Sequence, residues 1–338
     1  MSNPVRVGVV GYGYWGPNLV RNISELDSVE LVEVCDTNPK RLALFAKKYP
    51  GVTAQPSFEK MVNNPALDAI AIATPVNTHY VLACQALRAG KHVLVEKPIA
   101  STIAEAEELI ALARSQGVVL MVDHTFIYTG AVRKIREIVA SGQLGDLYYY
   151  DGVRINLGLF QHDVNVLSDL AIHDLSVMDF IIGREPVAVS CTGISHISGQ
   201  PENIAYLTLF FENNLIAHLH VNWLAPVKIR RTLIGGSQKM IVYDDLEPSE
   251  KIRIYDKGVD FVQSQEKIYQ MLISYRTGDA WLPKIDTTEA LAVKFAHFID
   301  CIRNHAQPMS DGQSGLRMLR ILHAATNSMK RRGEPVKL

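Results

Sequence analysis

Three groups of residues have the types and spacings that chemistry needs. The first is Gly11-x-Gly13-x-x-Gly16 in VRVGVVGYGYWG, directly behind an apolar stretch and opening a helical one. A loop of this kind cradles a pyrophosphate: Gly11 permits the tight turn, Gly13 lets backbone approach the phosphates, and Gly16 allows close helix–strand packing. The helix start adds free N–H groups and a positive dipole end. Tyr14 and Trp15 sit inside the loop and are candidate cofactor contacts. Asp36 ends the next apolar stretch, 20 residues beyond Gly16. A carboxylate there accepts hydrogen bonds from an adenosine ribose and repels a 2′-phosphate, so NAD is expected over NADP. Thr37 and Asn38 add no arginine, and Arg41 lies further along, on the expected helix.

The second group comprises Ala73-Thr-Pro-Val-Asn-Thr-His79 and Val95-Glu-Lys-Pro98, each at the carboxyl end of an apolar run. Open α/β sheets bind ligands at those ends, which makes Thr74, Asn77, His79, Glu96 and Lys97 candidates for the cofactor side. Lys97, fixed by the following proline, is suited to more. Near a nicotinamide it can hydrogen-bond the hydroxyl being oxidised and stabilise developing alkoxide character. A solvated loop lysine is the plain alternative. The third group is Asp169 and His173, four residues apart in a helical stretch and so on one face. That spacing suits a proton-transfer pair with the histidine as base, and equally an ordinary helix-surface pair.

Other candidates read as structural. His218, His220 and Asn222 share one face of an alternating strand. His-x-His could ligate a metal, but no third ligand is apparent and hydride transfer needs none, so a polar sheet face or subunit interface is expected, with no metal. Cys35, Cys84, Cys191 and Cys301 are far apart and lack CxxC or zinc spacing. Cys35 and Cys84 lie in apolar segments and read as small buried hydrophobes. A reducing, cytoplasmic setting is expected. Lys plus Arg (34) nearly balance Asp plus Glu (35), leaving a net charge of −1. No broad positive field for nucleic acid is available, and no run is long enough to span a bilayer. With 338 residues, 48% hydrophobic and 20% charged, the chain reads as globular and two-domain.

The elements that must position these residues follow from periodicity. Strands are expected at Arg6–Val10, Glu30–Cys35, Ala69–Ala73, His92–Val95 and Val118–Val122, apolar enough for burial on both faces. Helices are expected between them at Asn18–Ser24, Pro39–Tyr49, His79–Ala89 and Ile103–Ser115, the last with a capping-box spacing at Thr102 and Glu105. Repeated βα units imply a doubly wound parallel sheet, the Rossmann arrangement. Beyond Asp123 the pattern changes. A helix at Ala131–Ser141 precedes a strand at Leu147–Arg154, the irregular INLGLFQHD, and a helix at about Val166–Ile182. Strands without intervening helices follow at Val187–Ile194, Ile204–Phe211, Leu215–Leu224, Arg231–Ile234, Lys239–Tyr243 and Lys251–Tyr255, with Asn213-Asn214 as a hairpin turn. Helices at Glu289–Arg303 and Gly315–Arg332 close the chain. The reading is an α/β chain: a dinucleotide-binding domain over 1–123, then an α+β domain with an open, mostly antiparallel sheet over 124–338.

GYGYWGPNLVRN, ATPVNTH and EKP, in that order, resemble the Gfo/Idh/MocA oxidoreductases, and the resemblance covers essentially the whole chain. It implies a Rossmann domain followed by a substrate-binding and oligomerisation domain that builds dimers or tetramers through its sheet. It implies that Lys97 is catalytic or substrate-binding. The family's Asp and His, four apart on a second-domain helix, map onto Asp169-Leu-Ala-Ile-His173, with His173 as base and Asp169 orienting substrate or stabilising an imidazolium. Relatives often read WDLAPHD where this chain has Ser168-Asp-Leu-Ala-Ile-His-Asp174, so Ser168 replaces the indole and Ile172 the proline, and they often have Gly where Asp123 stands; the changes at 168 and 172 are expected to reshape the pocket.

Val153-Arg-Ile-Asn-Leu-Gly158, Asp163-Val-Asn165 and Met240-Ile-Val-Tyr-Asp-Asp-Leu-Glu-Pro248 resemble a subgroup that oxidises the 3-hydroxyl of UDP-N-acetylglucosamine or its uronic acid. Arg154 and Asn156 are then candidates for sugar hydroxyls, a carboxylate or a phosphate, and a structural ion pair is the alternative for Arg154. Lys228, Arg230 and Arg231 form a small basic cluster that suits a pyrophosphate or a charged strand edge. A free sugar or inositol dehydrogenase and a non-catalytic NAD-binding regulator are the competing readings. Lys97 and His173 together argue against the last.

Overall fold

In the computed structural model, residues 3–158, 164–261 and 273–338 are described. The apolar runs of the first third form β1 (Val5–Val10), β2 (Val29–Cys35), β3 (Thr53–Gln55), β4 (Ala69–Ile72), β5 (His92–Glu96) and β6 (Leu120–Asp123). All pair in parallel, in the order β3-β2-β1-β4-β5-β6. The order reverses at β1, so the crevice at its carboxyl end is the topological switch point, where a dinucleotide lies. The central strands β4 and β5 bury Ile70, Ile72, Val93 and Val95 completely, as helices on both faces require. Those helices are α1 (Gly16–Ser24), α2 (Pro39–Lys48), α3 (Phe58–Val62), α4 (Val76–Arg88) and α5 (Ile103–Gln116). Thr102 and Glu105 make the reciprocal capping box that starts α5. The three-residue β3 and five-residue α3 escape a reading based on periodicity, because neither completes enough of a period to be seen.

The chain divides into two compact units: Met1–Tyr128 with Thr288–Arg320, and Thr129–Thr287 with Ile321–Leu338. A single cut at residue 123 therefore does not describe the partition. Residues 288–320 return to the first unit, because α8 (Ala290–Asn304) and the first half of α9 (Gly312–Lys330) bury apolar faces there. Leu291, Phe295 and Phe298 of α8 are buried, and Leu316 and Leu319 of α9 join the core of β4, β5 and α5. Helical periodicity shows that such faces exist but not which core receives them.

The second unit contains α6 (Gly130–Ala140), β7 (Leu147–Leu157), a π-turn at Leu167–Ala171 and α7 (Ile172–Ile182). Then come β8 (Ala188–Ile194), β9 (Ile204–Phe210), β10 (Ile216–Asn222), β11 (Leu224–Gly236), β12 (Met240–Asp244) and β13 (Ile252–Tyr255). A two-stranded ribbon of β14 (Gly258–Phe261) and β15 (Ile273–Arg276), a short β16 (Ala280–Trp281) and a terminal β17 (Val336–Lys337) complete it. Nine strands form one sheet in the order β16-β13-β12-β11-β7-β10-β9-β8-β17. Every pair is antiparallel except β7 with β10. Asn213 and Asn214, at φ of 64° and 61°, make the tight turn between β9 and β10, the mirror-image geometry that suits a hairpin. On β10 the alternation holds. Leu219 and Val221 are buried, while His218 is exposed and His220 stacks on Tyr206 with centroids 4.4 Å apart. Among the described residues no cluster of His, Cys, Asp and Glu could hold a metal, and no helix is long and apolar enough to cross a membrane.

Candidate active site

The glycine loop between β1 and α1 shows why its three glycines differ. Gly11 adopts φ of 97°, and a Cβ there would meet the Ala73 carbonyl oxygen at 2.4 Å. A Cβ on Gly16 would meet the Gly11 carbonyl oxygen at 2.1 Å. Gly13 is different: its nearest neighbour would be the Arg41 guanidinium at 3.5 Å. Two glycines thus close the turn, and the third leaves its surface bare for a ligand to approach. No side chain caps α1, so its first N–H groups keep their capacity to bind an anion.

This loop opens on a cavity of about 670 Å³, lined by Gly11, Gly13, Tyr14, Trp15, Asp36 and Thr74 and continuing to Glu96 and Lys97. The bare glycine surface, the uncapped helix start and the carboxylate fit a dinucleotide. Asp36 is 6% exposed. Its carboxylate accepts hydrogen bonds from the backbone N–H of Tyr12 and of Asn38, both at 2.7 Å. Tyr14, by contrast, is 92% exposed at the rim. Arg41, placed by the sequence only as a distant helix residue, comes to 3.6 Å from the Asp36 carboxylate and lines the cavity. Its position two residues into α2 is the signal that could have found it, since the first turn of that helix faces back over the strand end.

Asn77 and His79 do not line the cavity. His79 is buried, with its ring nitrogens 2.8 Å from the carbonyl oxygens of Pro98 and Thr74. It ties the strand-end loop of β4 to that of β5. Burial, opposed by those carbonyls, lowers its pKa below the usual histidine value. A residue expected at the cofactor therefore acts one step behind it.

In the second unit, Asp169 lies in the π-turn and His173 in the first turn of α7. The expected helix is thus π-wound where it carries Asp169, a feature frequent at functional sites. Trp223, fully buried beyond β10, donates from its indole N–H to the Asp169 carboxylate at 3.2 Å. Asn165 accepts from the Asp169 backbone N–H at 3.1 Å through its carbonyl, and its side chain accepts from Ser168 N–H. Asp163 lies outside the described residues.

Arg154 forms the structural ion pair that the sequence left open. Its guanidinium grips the Asp174 carboxylate in a two-pronged arrangement at 2.6 and 3.1 Å. Both residues are buried, at 5% and 7% exposure. Asn156 shares this face of β7 two residues on and is half-buried. In the basic cluster, Arg230 pairs with Asp245 at 3.2 Å, while Lys228 and Arg231 are exposed. Asp174 and Trp223 are the residues that sequence reasoning missed. Only their neighbourhood, beside His173 and after the alternating strand β10, pointed to them.

Residues 5–124 match an oxidoreductase family with an NAD-binding Rossmann fold, and residues 132–242 match the Gfo/Idh/MocA C-terminal domain. The chain is 28% identical to UDP-N-acetylglucosamine 3-dehydrogenase of Acidithiobacillus ferrooxidans, over 93% of this chain and 94% of that protein. A solved structure of that enzyme superposes with a TM-score of 0.83 at 25% identity, covering 98% and 99% of the two chains. Myo-inositol 2-dehydrogenase of Thermotoga maritima is 22% identical, over 96% of each chain.

Proposed function

The chain belongs to the Gfo/Idh/MocA oxidoreductases and binds NAD, and from this premise we propose that it oxidises a secondary hydroxyl, at C3, of a nucleotide-linked amino sugar such as UDP-N-acetylglucosamine or its uronic acid. The reading rests on Lys97 lining the same cavity as Gly11, Gly13 and Asp36, which sets a hydrogen-bond donor beside the cofactor. The sugar comes from the likeness to the UDP-N-acetylglucosamine 3-dehydrogenase, which spans both units.

Gly11, Gly13 and Asp36 would hold NAD, which would supply a hydride acceptor for the carbinol carbon. The protein's part is proton handling and orientation. His173 takes the hydroxyl proton as general base. Lys97, beside the cofactor cavity, is suited to hydrogen-bond a hydroxyl being oxidised and to stabilise its alkoxide character. Asp169, itself held by the Trp223 indole, orients the substrate or steadies the imidazolium. Arg154 reaches the site through Asp174, the neighbour of His173, rather than through the sugar. Of the basic cluster, Lys228 is an exposed cation suited to a pyrophosphate, while Arg231 shares the open sheet face with Ile229. Ile229, Tyr206 and Ile216 are exposed on the open sheet, the face through which this reading pairs subunits; sedimentation of the intact protein tests it.

The likeness to an inositol dehydrogenase favours one rival, oxidation of a free polyol. NADH formation with UDP-N-acetylglucosamine, its uronic acid, free sugars and inositol separates the two, with a 3-aminotransferase added to draw off the ketone. Turnover with a UDP-sugar is expected. Turnover with free polyols alone would move the substrate to the inositol type, and silence across the panel despite NAD binding would overturn the enzymatic reading.

A further inference from the structure

Beside Lys97 lies a buried charged cluster that the reaction above does not use. Glu96 ends β5 and Asp123 ends β6, and the two are register partners on neighbouring parallel strands. The pairing sets two acidic side chains side by side, with Glu96 Oε1 and the Asp123 carboxylate both buried, and two neighbouring charges of one sign there are costly enough that one of the groups holds a proton. From α8, 171 residues away in sequence, the fully buried Lys294 ammonium forms an ion pair with Asp123. The Thr125 hydroxyl donates to the other oxygen of the same carboxylate. Cation and donor both favour charge on Asp123, which leaves the proton on Glu96 and the cluster neutral.

Electrostatics run the same way. Burial, reinforced by the Asp123 charge, pushes the Glu96 carboxyl well above the usual carboxylate range, against the opposing pull of Lys294 and Lys97. Burial acts upward on Asp123 too, but Lys294 and the hydrogen bonds bring it below its usual value. Next to Asp123, His124 is lowered by burial to about 4 and is uncharged at neutral pH. Arg317 is the remaining cation that bears on His124. The second oxygen of Glu96, Oε1, is buried and has no hydrogen-bond partner among the described residues.

The sheet order fixes which half of the cofactor this cluster faces. Along the carboxyl edge run β2 with Asp36, β1 with the glycine loop, β4 with Thr74 and β5 with Glu96. With the adenosine ribose at Asp36 and the pyrophosphate at the glycines, the nicotinamide falls to the Glu96 end. We propose that Asp123 and Lys294 are positioning residues for that end: they fix Glu96 as a neutral acid, and so keep a negative charge away from a ring that is cationic in NAD⁺ and neutral in NADH. The cluster thereby shifts the site's preference toward NADH, relative to the same site with Glu96 ionised. The inference depends on the NAD pocket alone and not on the identity of the sugar.

Two measurements test it. In the cofactor-free protein at neutral pH, the infrared carbonyl band of a protonated carboxyl group is expected, and Glu96→Gln should remove it. An unchanged carboxylic-acid band in that variant would overturn the proposal, and this near-isosteric change carries the test even if others fold poorly. Second, Asp123→Asn removes the charge that reinforces burial in raising Glu96 and leaves the Lys294 ammonium without its carboxylate partner, which together favour an ionised Glu96. The affinity ratio of NAD⁺ to NADH, from calorimetric and fluorescence titrations, should then rise by about tenfold. Adding Glu96→Gln to Asp123→Asn should cancel that rise. A ratio that does not move in the single variant, or that moves equally in the double, would sink the idea.

Discussion

The dinucleotide loop of the first unit and the Asp169–His173 turn of the second differ in what holds them in place. The loop is made of backbone: Gly11 and Gly16 pack carbonyl against Cα, and the ligand surface at Gly13 is bare. The turn is made of side chains: the Trp223 indole holds Asp169, and the Arg154 guanidinium holds Asp174 next to His173. A backbone-built site depends on a few residue types at fixed spacing. A site built from side chains depends on partners far apart in sequence, and damage travels to it from a distance. The catalytic assignment follows the same division, with Lys97 on a strand end and His173 on a held helix.

The largest effect should come from the two residues proposed to handle the substrate proton. His173→Ala and Lys97→Ala are each expected to lower turnover by roughly 10²–10⁴-fold, the usual share of one acid–base group. NAD affinity, measured by titration, should stay close to that of the parent for both. If Lys97→Ala weakened NAD binding as much as turnover, Lys97 would be a cofactor anchor and the contrast between the two regions would fail on the side of the loop.

Next in size is the buried ion pair. Arg154→Met leaves the Asp174 carboxylate buried without its cation, and breaking such a pair costs about 3–5 kcal/mol. Urea unfolding should show that loss, and Asp174→Asn in the same chain should restore part of it. A loss below about 1 kcal/mol, the scale of an exposed pair, would mean that water reaches Asp174 and that the turn is not held from β7.

That contrast also explains what could be read from the sequence. The parallel sheet, the helix starts at Pro39 and Ile103 and the glycine loop were legible because each is local: a period, a cap or a three-glycine spacing within a dozen residues. The capping box at Thr102 and Glu105 and the Asn213-Asn214 turn formed as their local chemistry requires. The return of 288–320 to the first unit was not legible, nor was the approach of Lys294 to Asp123. Both depend on tertiary packing between segments about 170 residues apart. Arg154 carried an ambiguity of another kind. A guanidinium suits a phosphate or a carboxylate equally well, and only the fold supplies Asp174. His79 was placed at the right loop but at the wrong depth, since sequence gives the strand end and not the direction of the ring.

The smallest effects expected come from within the loop, where two glycines of one motif should separate structure from binding. Gly16→Ala drives a methyl group against a backbone carbonyl oxygen, which no side-chain rotation relieves. A destabilisation of about 1–3 kcal/mol is expected, as for an overpacked core. Gly13→Ala meets only the end of the flexible Arg41 side chain, so its thermal midpoint should stay near that of the parent. Its cost should appear in cofactor affinity, because the methyl group occupies the surface where the pyrophosphate approaches. Denaturation and NAD titration of the two variants therefore form a crossed pair. Loss of stability in Gly13→Ala, or intact stability in Gly16→Ala, would show that the loop relies on something other than backbone packing, and its distinction from the side-chain-held turn would disappear.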